Sequence, residues 1–333
     1  MDLAVAVNRL NELEQSQGTA SIIAEACARG HRVVVFALDD LWINERGKVG
    51  AQVVTLPSDE AMNLKTLASE LHTWPRQAHP FSQDELLLIR TNPARDPQRL
   101  GVHDTFLTVA SLLKRRGMLV LNDPDGLRLA GNKLYLSDFS DAIRPATWLG
   151  RDVDSLMAFV RNLSGSAVLK PLQGTWGQDV FLIQHGDHTN LRAIANTVTR
   201  SGFALAQAYI PGAESGDTRV ILVEGSPLVS HSIPLTVRRI PGKGEFRSNV
   251  HAGGSSAAGA MGPGIARIVG EVGARLVADG IFLAGLDIIQ GQLVEINVFA
   301  PGGFQPATEL LGAPFLTSLL EAIEAKEKSH RCA

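Results

Sequence analysis

The order strand, helix, strand at the start of the chain constrains the fold most. LAVAVN at residues 3–8 is a short apolar run, and a helical pattern follows at 19–30 and closes at Gly30. A second apolar run, HRVVVFALDD, occupies residues 31–40. Two such runs around one helix are typical of a parallel βαβ unit, because parallel strands need a long crossover connection.

The same alternation continues past the first unit. Residues 84–92 and 118–124 predict buried strands, and residues 103–117 between them predict a helix that ends at Gly117. Strands that alternate with helices indicate an open α/β domain, which we assign to residues 1–121. The chain has 333 residues, which exceeds the usual size of a single domain and favours two or three.

Past residue 124 the pattern changes to segments of an α+β type. We predict helices over 128–139, 152–165 and 189–201, a strand–loop–strand unit over 166–184, and a strand over 203–210. Residues 218–225 and 226–233 predict two strands joined by a tight turn near Gly225, and residues 240–264 predict a long loop rich in Gly, Ser and Ala.

Composition excludes several classes of protein. A formal net charge of −3 gives no overall electrostatic attraction for nucleic acid, so we expect none as a partner. No uninterrupted apolar stretch reaches the length of a membrane span, and the first residues lack the pattern of a signal peptide, so we expect a cytoplasmic protein without membrane contact. Cys27 and Cys332 are too few for a disulfide framework or a zinc site.

The segment GLDIIQGQLVEINV, residues 285–298, places oxygen-bearing side chains in an apolar hairpin. Because side chains alternate along a strand, Glu295 and Asn297 share a face, on which we also expect Leu293. Asp287 joins that face only if the turn has an odd number of residues or if a strand contains a bulge, and Gly291 makes either possible.

These three side chains are ligands that Mg²⁺ prefers, since it is usually bound by one or two carboxylates and by substrate phosphates. The alternative is a hairpin whose polar face contacts only water. The hairpin by itself does not decide between the two.

A second informative segment is LKPLQGTWGQ at residues 169–178. Lys170 ends a predicted strand, and the glycines that follow allow backbone N–H groups to approach phosphates closely. The order of residues matches neither the Walker P-loop nor G-x-G-x-x-G. An ordinary glycine-containing turn remains the alternative. The carboxylates must be considered together with five cations, namely Lys133, Lys170, Arg219, Arg239 and Arg247. Cations for phosphates and carboxylates, combined with magnesium ligands, favour a nucleotide-dependent ligase.

Five segments in this order resemble bacterial glutathione synthetase, a member of the ATP-grasp superfamily. They are NDPDGLRLAGNKLY, LKPLQGTWGQ, AQAYIPGAESGDTRV, RIPGKGEFRSNVHAGG and GLDIIQGQLVEINVFAP, and the resemblance covers nearly the whole chain. It implies an α/β protein with α+β lids: an N-terminal pre-ATP-grasp domain at 1–121, a small lid domain at 122–205, and a C-terminal domain at 206–333 that carries the metal site and the mobile 240–264 loop.

The resemblance also implies roles for single residues. Lys133 and Lys170 contact ATP phosphates, with the loop at 173–178, including Gly174, Thr175, Trp176 and Gly177, folded over them. Gln207, Tyr209 and Ile210 belong to a hinge whose backbone contacts adenine, with Asp217 near the ribose. The metal ligands are Asp287, Glu295 and Asn297, for Mg²⁺ or Mn²⁺. Arg219, Arg247 and Arg239 hold the acyl phosphate and substrate carboxylates.

Three segments depart from the family pattern, one of which is SIPLTVR before Arg239, longer than the family pattern. Gln173 and Trp176-Gly177-Gln178 replace the usual Asp and x-Gly-Gly of the glycine loop. Residues 299–304, FAPGGF, replace a Ser-Pro-Thr segment that helps to hold substrate, and contain no hydroxyl group. The residues implied to bind ATP and the metal are retained, whereas the region implied to bind the acceptor substrate is altered. This combination predicts the same reaction, on γ-glutamylcysteine and glycine or on a related acid and amine.

The implied reaction is amide bond formation through an acyl phosphate, with ATP and Mg²⁺, in a homo-oligomer that acts on small molecules. Two alternatives remain open at this point. A noncatalytic protein of the same fold could bind ATP as a regulatory ligand, and a kinase could stop at the phosphorylated substrate and produce ADP without an amine.

Overall fold

The computed structural model describes residues 1–15, 18–58, 63–172, 179–200, 202–242 and 254–332. Of the predicted site residues, Gly174, Thr175, Trp176, Gly177 and Arg247 lie outside these ranges, so nothing is said below about their structure.

The N-terminal region is built on one sheet. Its strands are β1 (Asp2–Val7), β2 (Arg32–Ala37), β3 (Leu41–Ile43), β4 (Val49–Thr55), β5 (Gln77–Pro80), β6 (Leu86–Ile89) and β7 (Leu119–Leu121), and its helices are α1 (Gly18–Ala28), α2 (Leu64–Glu70) and α3 (Leu100–Arg115). β2, β1, β6 and β7 pair in parallel in that order, which confirms the βαβ prediction. The antiparallel strands β3, β4 and β5 extend the sheet beyond β2 and were not predicted, because residues 41–80 lack a sustained apolar alternation.

The middle region forms a second, antiparallel sheet with helices against it. Its elements are α4 (Pro124–Ala130), β8 (Thr147–Gly150), α5 (Val153–Asn162), β9 (Ala167–Pro171), β10 (Phe181–Ile183), α6 (Leu191–Thr199) and β11 (Ala204–Ala208). The sheet order is β10-β9-β11-β8. Leu156, Leu169, Leu191 and Ala206 belong to a buried core that this region does not share with the other sheets.

The prediction of one continuous helix at 128–139 is wrong. α4 ends at Ala130, and a separate 3₁₀ helix covers Lys133–Asp138. The break follows from Asn132, whose side chain accepts a hydrogen bond from the N–H of Leu134 and so begins a new helix. Lys133 is therefore the first residue of a tight turn rather than part of a long helix.

The C-terminal region contains the third sheet, in the order β17-β16-β12-β18-β19. Its elements are β12 (Asp217–Val223), β13 (Ser226–Pro227), β14 (Val229–Ser230), β15 (Ile233–Pro234), β16 (Thr236–Ile240), β17 (Ser255–Ala258), α7 (Pro263–Ala278), β18 (Leu283–Ile289), β19 (Gln292–Asn297), α8 (Phe304–Leu311) and α9 (Phe315–Arg331). The turn at Glu224-Gly225 is confirmed, with Val223 opposite Ser226.

Two predictions in this region need correction. The strand predicted at 226–233 is divided, because His231 and Ser232 adopt positive φ and turn the chain so that β14 pairs with β15. The loop predicted at 240–264 is shorter within the described residues, since β17 pairs with β16 and α7 begins at Pro263. Residues 243–253 of that loop lie outside the described ranges.

Asn122, directly after β7, connects the first sheet to the third. Its side-chain amide donates to the carbonyls of Leu283 and Val298 at 2.8 and 2.9 Å, and its oxygen accepts from the N–H of Leu283 at 2.7 Å. The side chain is almost fully buried. Because three backbone groups of β18 and of the residue after β19 depend on this one amide, Asn122 positions the C-terminal hairpin against the N-terminal sheet.

Candidate active site

The hairpin of β18 and β19 brings the predicted metal ligands together through a bulge. The turn has two residues, Gln290 and Gly291, with φ of 47° and 74°, and Ile289 lies opposite Gln292. A register shift then occurs between Asp287 and Ile288, so that Asp287 lies directly opposite Glu295. Of the two routes that the sequence allowed, the structure therefore uses the bulge.

The bulge also corrects one expectation. Leu293 lies opposite Ile288, whereas Glu295 lies opposite Asp287, so Leu293 and Glu295 point to different faces of the sheet. Leu293 is fully buried and Glu295 is partly exposed. Because Val294 is the extra residue of the bulge, Leu293 points into the core while Glu295 points to the face of Asp287.

Asn297 completes the polar face. It lies opposite Gly285, and its side-chain amide donates to Asp287 Oδ2 at 3.1 Å. A Cβ at Gly285 would lie at ordinary van der Waals distance from both Asn297 and Pro301, 3.7 and 3.5 Å from their Cβ atoms. Asn297 and Pro301 therefore both lie next to Gly285.

Two arginines from neighbouring strands hold Asp287. Arg219, on β12, donates from Nε and Nη2 to the two carboxylate oxygens, both at 2.7 Å. Arg239, on β16, places Nη2 at 2.8 Å from Asp287 Oδ2 and binds Asp217 through two further hydrogen bonds of 2.8 and 2.7 Å. Four charged groups from three strands therefore form one ion-pair network.

The charges in this network set the protonation of Asp287. Burial by itself would raise the pKa of this carboxyl group, which is only 2% exposed. The adjacent charges and hydrogen bonds of Arg219 and Arg239 outweigh that effect and lower the pKa to about 2. Asp287 is therefore ionised at neutral pH, as a metal ligand must be.

Asp217 binds Arg239 in the structure, and the ribose contact that the resemblance implied stays a prediction. Both of its oxygens accept hydrogen bonds from Arg239, and the side chain is 6% exposed. Burial and the charge of Asp287 raise the pKa of Asp217, while Arg239 opposes the shift. Its observed contacts orient Arg239 toward Asp287.

Lys133 and Lys170 approach the hairpin from the middle region. Burial lowers the pKa of Lys170 to about 8, opposed by the negative charge of Glu295 and assisted by the positive charge of Lys133. Burial also lowers the pKa of Lys133, and Glu295 again opposes it. Lys133 Nζ donates to the carbonyl of Leu172 at 3.0 Å. Both lysines are partly buried, and the negative charge of Glu295 acts on each of them.

The predicted hinge residues lie at the end of β11. Gln207 is buried and donates from Nε2 to Thr147 Oγ1 at 3.3 Å. The N–H of Tyr209 donates to the carbonyl of Ser166 at 2.8 Å, and its hydroxyl donates to Glu214 at 3.0 Å. Within the described part of the chain, the N–H of Ile210 donates to no protein acceptor, so it is the hinge N–H that is available to a ligand.

The segment after Asn297 is held by its aromatic side chains. Phe304 is fully buried, and the ring of Phe299 lies so close to Gly131 that a side chain there would overlap it. Ala300 has a positive φ of 47°, which is uncommon for a residue with a side chain. The two rings are thus packing groups, and the part of the segment that remains for a substrate is small and lacks hydroxyl groups.

The donor set suits a hard divalent cation. Across the described residues, no group of three or more His, Cys, Asp or Glu side chains is arranged to hold a metal. The hairpin offers two carboxylates and one amide, which are oxygen ligands of the kind that Mg²⁺ and Mn²⁺ accept. A cation at Asp287 must share or replace the hydrogen bonds of the two arginines.

Arg90 is a buried arginine near the hairpin that was not predicted as a site residue. It directly follows β6, at the carboxyl end of a parallel strand, where ligands of open α/β sheets commonly bind. A charged residue immediately after the apolar run LLLI is the signal that could have identified it.

Comparisons with known proteins agree with this geometry. A family model of the prokaryotic glutathione synthetase N-terminal domain matches residues 1–128, and a model of the prokaryotic glutathione synthetase ATP-grasp domain matches residues 132–311. Relatives named glutathione synthetase include one from Xanthomonas axonopodis pv. citri, 33% identical over 98% of both chains, and one from Escherichia coli K12, 31% identical over 92% of both.

Solved structures support the fold. A D-cycloserine synthetase superposes with a TM-score of 0.64 at 14% identity, covering 96% of this chain and 99% of its own. A D-alanyl-alanine synthetase A from Vibrio cholerae superposes with a TM-score of 0.58 at 12% identity, covering 98% of both chains. The mixed α/β architecture is therefore an ATP-grasp fold. No helix in the described ranges is both long and apolar enough to span a membrane.

Proposed function

This chain belongs to the prokaryotic glutathione synthetase family and is an ATP-dependent carboxylate–amine ligase of that type, and we propose that its reaction takes place between the β18–β19 hairpin and the lysines of the middle region. The observation that carries this proposal is the packing of the 3₁₀ helix that begins at Lys133 against β19, in which Glu295 lies directly opposite Asp287. Cations for phosphates and oxygen ligands for a metal then face one space.

The chemistry begins with a carboxylate, which is a poor acyl donor. Its oxygen attacks the γ-phosphorus of ATP, the bond to ADP breaks, and an acyl phosphate forms. The nitrogen of the amine then attacks the acyl carbon, phosphate leaves, and the nitrogen loses a proton. Positioning and electrostatic stabilisation account for most of the catalysis in phosphoryl transfer.

We assign roles to the residues of this chain on that basis. Lys133 and Lys170 offset phosphate charge, while the N–H of Ile210, which has no acceptor among the described residues, contacts the adenine edge beside Gln207 and Tyr209. Asp287, Glu295 and Asn297 hold Mg²⁺, or Mn²⁺ in its place, which when bound neutralises phosphate oxygens and polarises the γ-phosphate.

The arginines act on the acid. Arg219 and Arg239 lie against Asp287, which supports their assignment to the acyl phosphate, and Arg247 is assigned to the same task from the resemblance. Asp217 orients Arg239 through two hydrogen bonds, and its contact to ribose is carried over from the resemblance. The residues of the glycine loop, Gly174, Thr175, Trp176 and Gly177, are proposed to cover the phosphates.

The substrates are γ-glutamylcysteine and glycine, or a related acid and amine. The packed rings of Phe299 and Phe304 and the lack of hydroxyl groups in the 299–304 segment support a substrate pocket that differs from the family pattern. We also propose a cytoplasmic homo-oligomer, and the net charge of −3 supports a protein that does not bind nucleic acid.

The test is ADP formation with Mg²⁺ and ATP across a matrix of acids and amines, with mass spectrometry of the products. We expect ADP only when both an acid and an amine are present, together with an equal amount of amide. ADP formed without an amine would indicate a kinase. Binding of ATP without turnover on any pair would contradict the proposed reaction and indicate a regulatory role.

A further inference from the structure

The 3₁₀ helix that begins at Lys133 packs with the C-terminal region and not with the sheet that follows it in the chain. Tyr135, in this helix, is buried in one core with Leu286 of β18. The middle sheet packs around a separate core. The chain beyond the helix also meets the hairpin, because the N–H of Leu293 on β19 donates to the carbonyl of Ile143 at 2.6 Å. The helix that carries Lys133 is thus attached to the body that carries the candidate metal ligands.

One side of α7 holds the segment that includes this 3₁₀ helix. Residues 267, 271 and 275 of α7, and residue 279 directly after it, each contact the segment, in the reverse order of the chain. The contacts join Asp279 to the hydroxyl of Tyr135, Arg275 to Asp138, Glu271 to the N–H of Ser140, and Arg267 to the carbonyl of Ala142, at 2.6, 2.9, 2.9 and 3.0 Å. Residues four apart lie on one face of a helix, so the segment runs antiparallel along that face.

These contacts differ in burial and therefore in strength. Tyr135 is 3% exposed, whereas the side chains of Asp138 and Arg275 are 42% and 41% exposed. Exposed ion pairs stabilise little, while a buried hydroxyl that donates to a carboxylate forms a charge-assisted hydrogen bond. Arg275 also donates from Nε to Asp279 at 2.7 Å and so orients the acceptor of Tyr135. The hydrogen bond from Tyr135 to Asp279 is the main polar anchor of the segment.

The anchor is close to Lys133 in the chain. A 3₁₀ helix has three residues per turn, so Tyr135 and Lys133 lie within one turn of each other. Helices this short are not stable by themselves and depend on tertiary contacts. A shift of the ring at Tyr135 would therefore move the backbone of Lys133, whose Nζ donates to the carbonyl of Leu172 at 3.0 Å.

We propose that Tyr135 is a positioning residue for Lys133, and that the hydrogen bond of its hydroxyl group to Asp279 fixes the place of the lysine relative to the hairpin. This inference rests on the proposed function, in which Lys133 offsets the charge of ATP phosphates. A lysine is a point charge on a flexible stem, so the position of its charge depends on a fixed backbone. The ring of Tyr135 lies in the core and acts through the lysine.

The experiment is a double-mutant cycle in which calorimetry measures the affinity for the ATP analogue AMP-PNP in the presence of Mg²⁺. Tyr135→Phe removes the hydroxyl and keeps the buried ring, and Lys133→Met removes the cation. We expect Tyr135→Phe to weaken AMP-PNP binding by about tenfold, the order of one charge-assisted contact. In the Lys133→Met background the same substitution should cause no further loss of affinity, because a positioning residue has no effect without the group that it positions.

Ser111→Ala is the matched control. Ser111 is a buried hydroxyl on α3, 2.9 Å from a carboxylate oxygen of Asp125 on α4. Unfolding in denaturant should show a loss of stability in both Ser111→Ala and Tyr135→Phe, but AMP-PNP affinity should change only in Tyr135→Phe.

Three results would overturn the inference. They are wild-type affinity in Tyr135→Phe, an equal loss of affinity in the Lys133→Met background, and an equal loss in Ser111→Ala. AMP-PNP binding requires neither an acid nor an amine, so the ADP assay reports separately on the ligase reaction.

Discussion

Arg219 and Asp287 lie directly opposite each other on the adjacent strands β12 and β18 and are joined by two hydrogen bonds of 2.7 Å. One of these residues is the proposed contact for the acyl phosphate and the other is a proposed metal ligand. Because each side chain satisfies the other, a cation at Asp287 would displace the guanidinium of Arg219, which would then be available to the substrate. Metal binding and acid binding are therefore expected to be coupled.

Asp287→Asn should abolish ADP formation and destabilise the fold. The substitution removes the negative charge that compensates Arg219 and Arg239, and loss of one partner from a buried ion pair costs about 3 kcal/mol. Denaturant unfolding and the ADP assay measure the two effects. Asp138→Asn, in an exposed pair with Arg275, should change neither appreciably. Wild-type stability in Asp287→Asn would contradict the network.

Arg239→Met should tighten Mn²⁺ binding in the absence of nucleotide while reducing ADP formation. Arg239 competes with a cation for Asp287, and removal of that competition should lower the dissociation constant by about tenfold, as expected for about 1.4 kcal/mol. Electron paramagnetic resonance of free Mn²⁺ measures the affinity.

Arg238→Met is the matched control for that experiment. Arg238 is the preceding residue of β16, is exposed, and donates to the carbonyl of Ser215. Successive side chains of a strand point to opposite faces, so this substitution should leave Mn²⁺ affinity unchanged. Weaker Mn²⁺ binding in Arg239→Met would show that the arginine supports the cation site rather than competes with it.

ATP affinity should fall as the pH rises above about 8. The pKa of Lys170 in the folded protein is about 8, so its positive charge is lost in that range before ATP binds. Lys170→Arg keeps its charge at higher pH and should flatten the dependence, whereas Lys65→Arg on the surface should not. Nucleotide titrations between pH 7 and 9 provide the measurement, and an unchanged slope in Lys170→Arg would exclude this lysine as the origin.

The lowered pKa of Lys170 also predicts how the stability of the fold changes with pH. Between about pH 8 and the unfolded value of 10.5, the unfolded chain holds a proton on Lys170 that the folded chain has released. The contribution of Lys170 to the free energy of unfolding therefore increases with pH across that window. Lys170→Met should remove this contribution to the pH dependence.

Gly291→Ala should destabilise the protein, and Gly270→Ala should stabilise it. Among the described residues, neither site has an atom within 4 Å of the added methyl group apart from its own local backbone, so tertiary contacts do not distinguish the two. Gly291 has a φ of 74°, where alanine costs about 1 kcal/mol, whereas Gly270 lies inside α7, where alanine gains about 1 kcal/mol. Unfolding in denaturant compares the two, and effects of the same sign would contradict the backbone explanation.

The sequence by itself determined the parallel βαβ start, the strand pair around the glycine loop, and the hairpin that carries Glu295 and Asn297 on one face. These features follow from periodicity and turn residues, which are properties of neighbours along the chain. The resemblance added roles for single residues, and those roles remain predictions, including the ones for Arg247 and for the glycine loop.

Only the tertiary structure decided how the charges pair. Whether Asp287 lies opposite Glu295 depends on a bulge at Val294 that the sequence left open. The contact between Arg219 and Asp287 joins residues 68 positions apart, and Arg90 meets Pro301 across 211 positions. Such partners are set by strand order, by register and by the need to compensate buried charge, none of which is a property of a local segment.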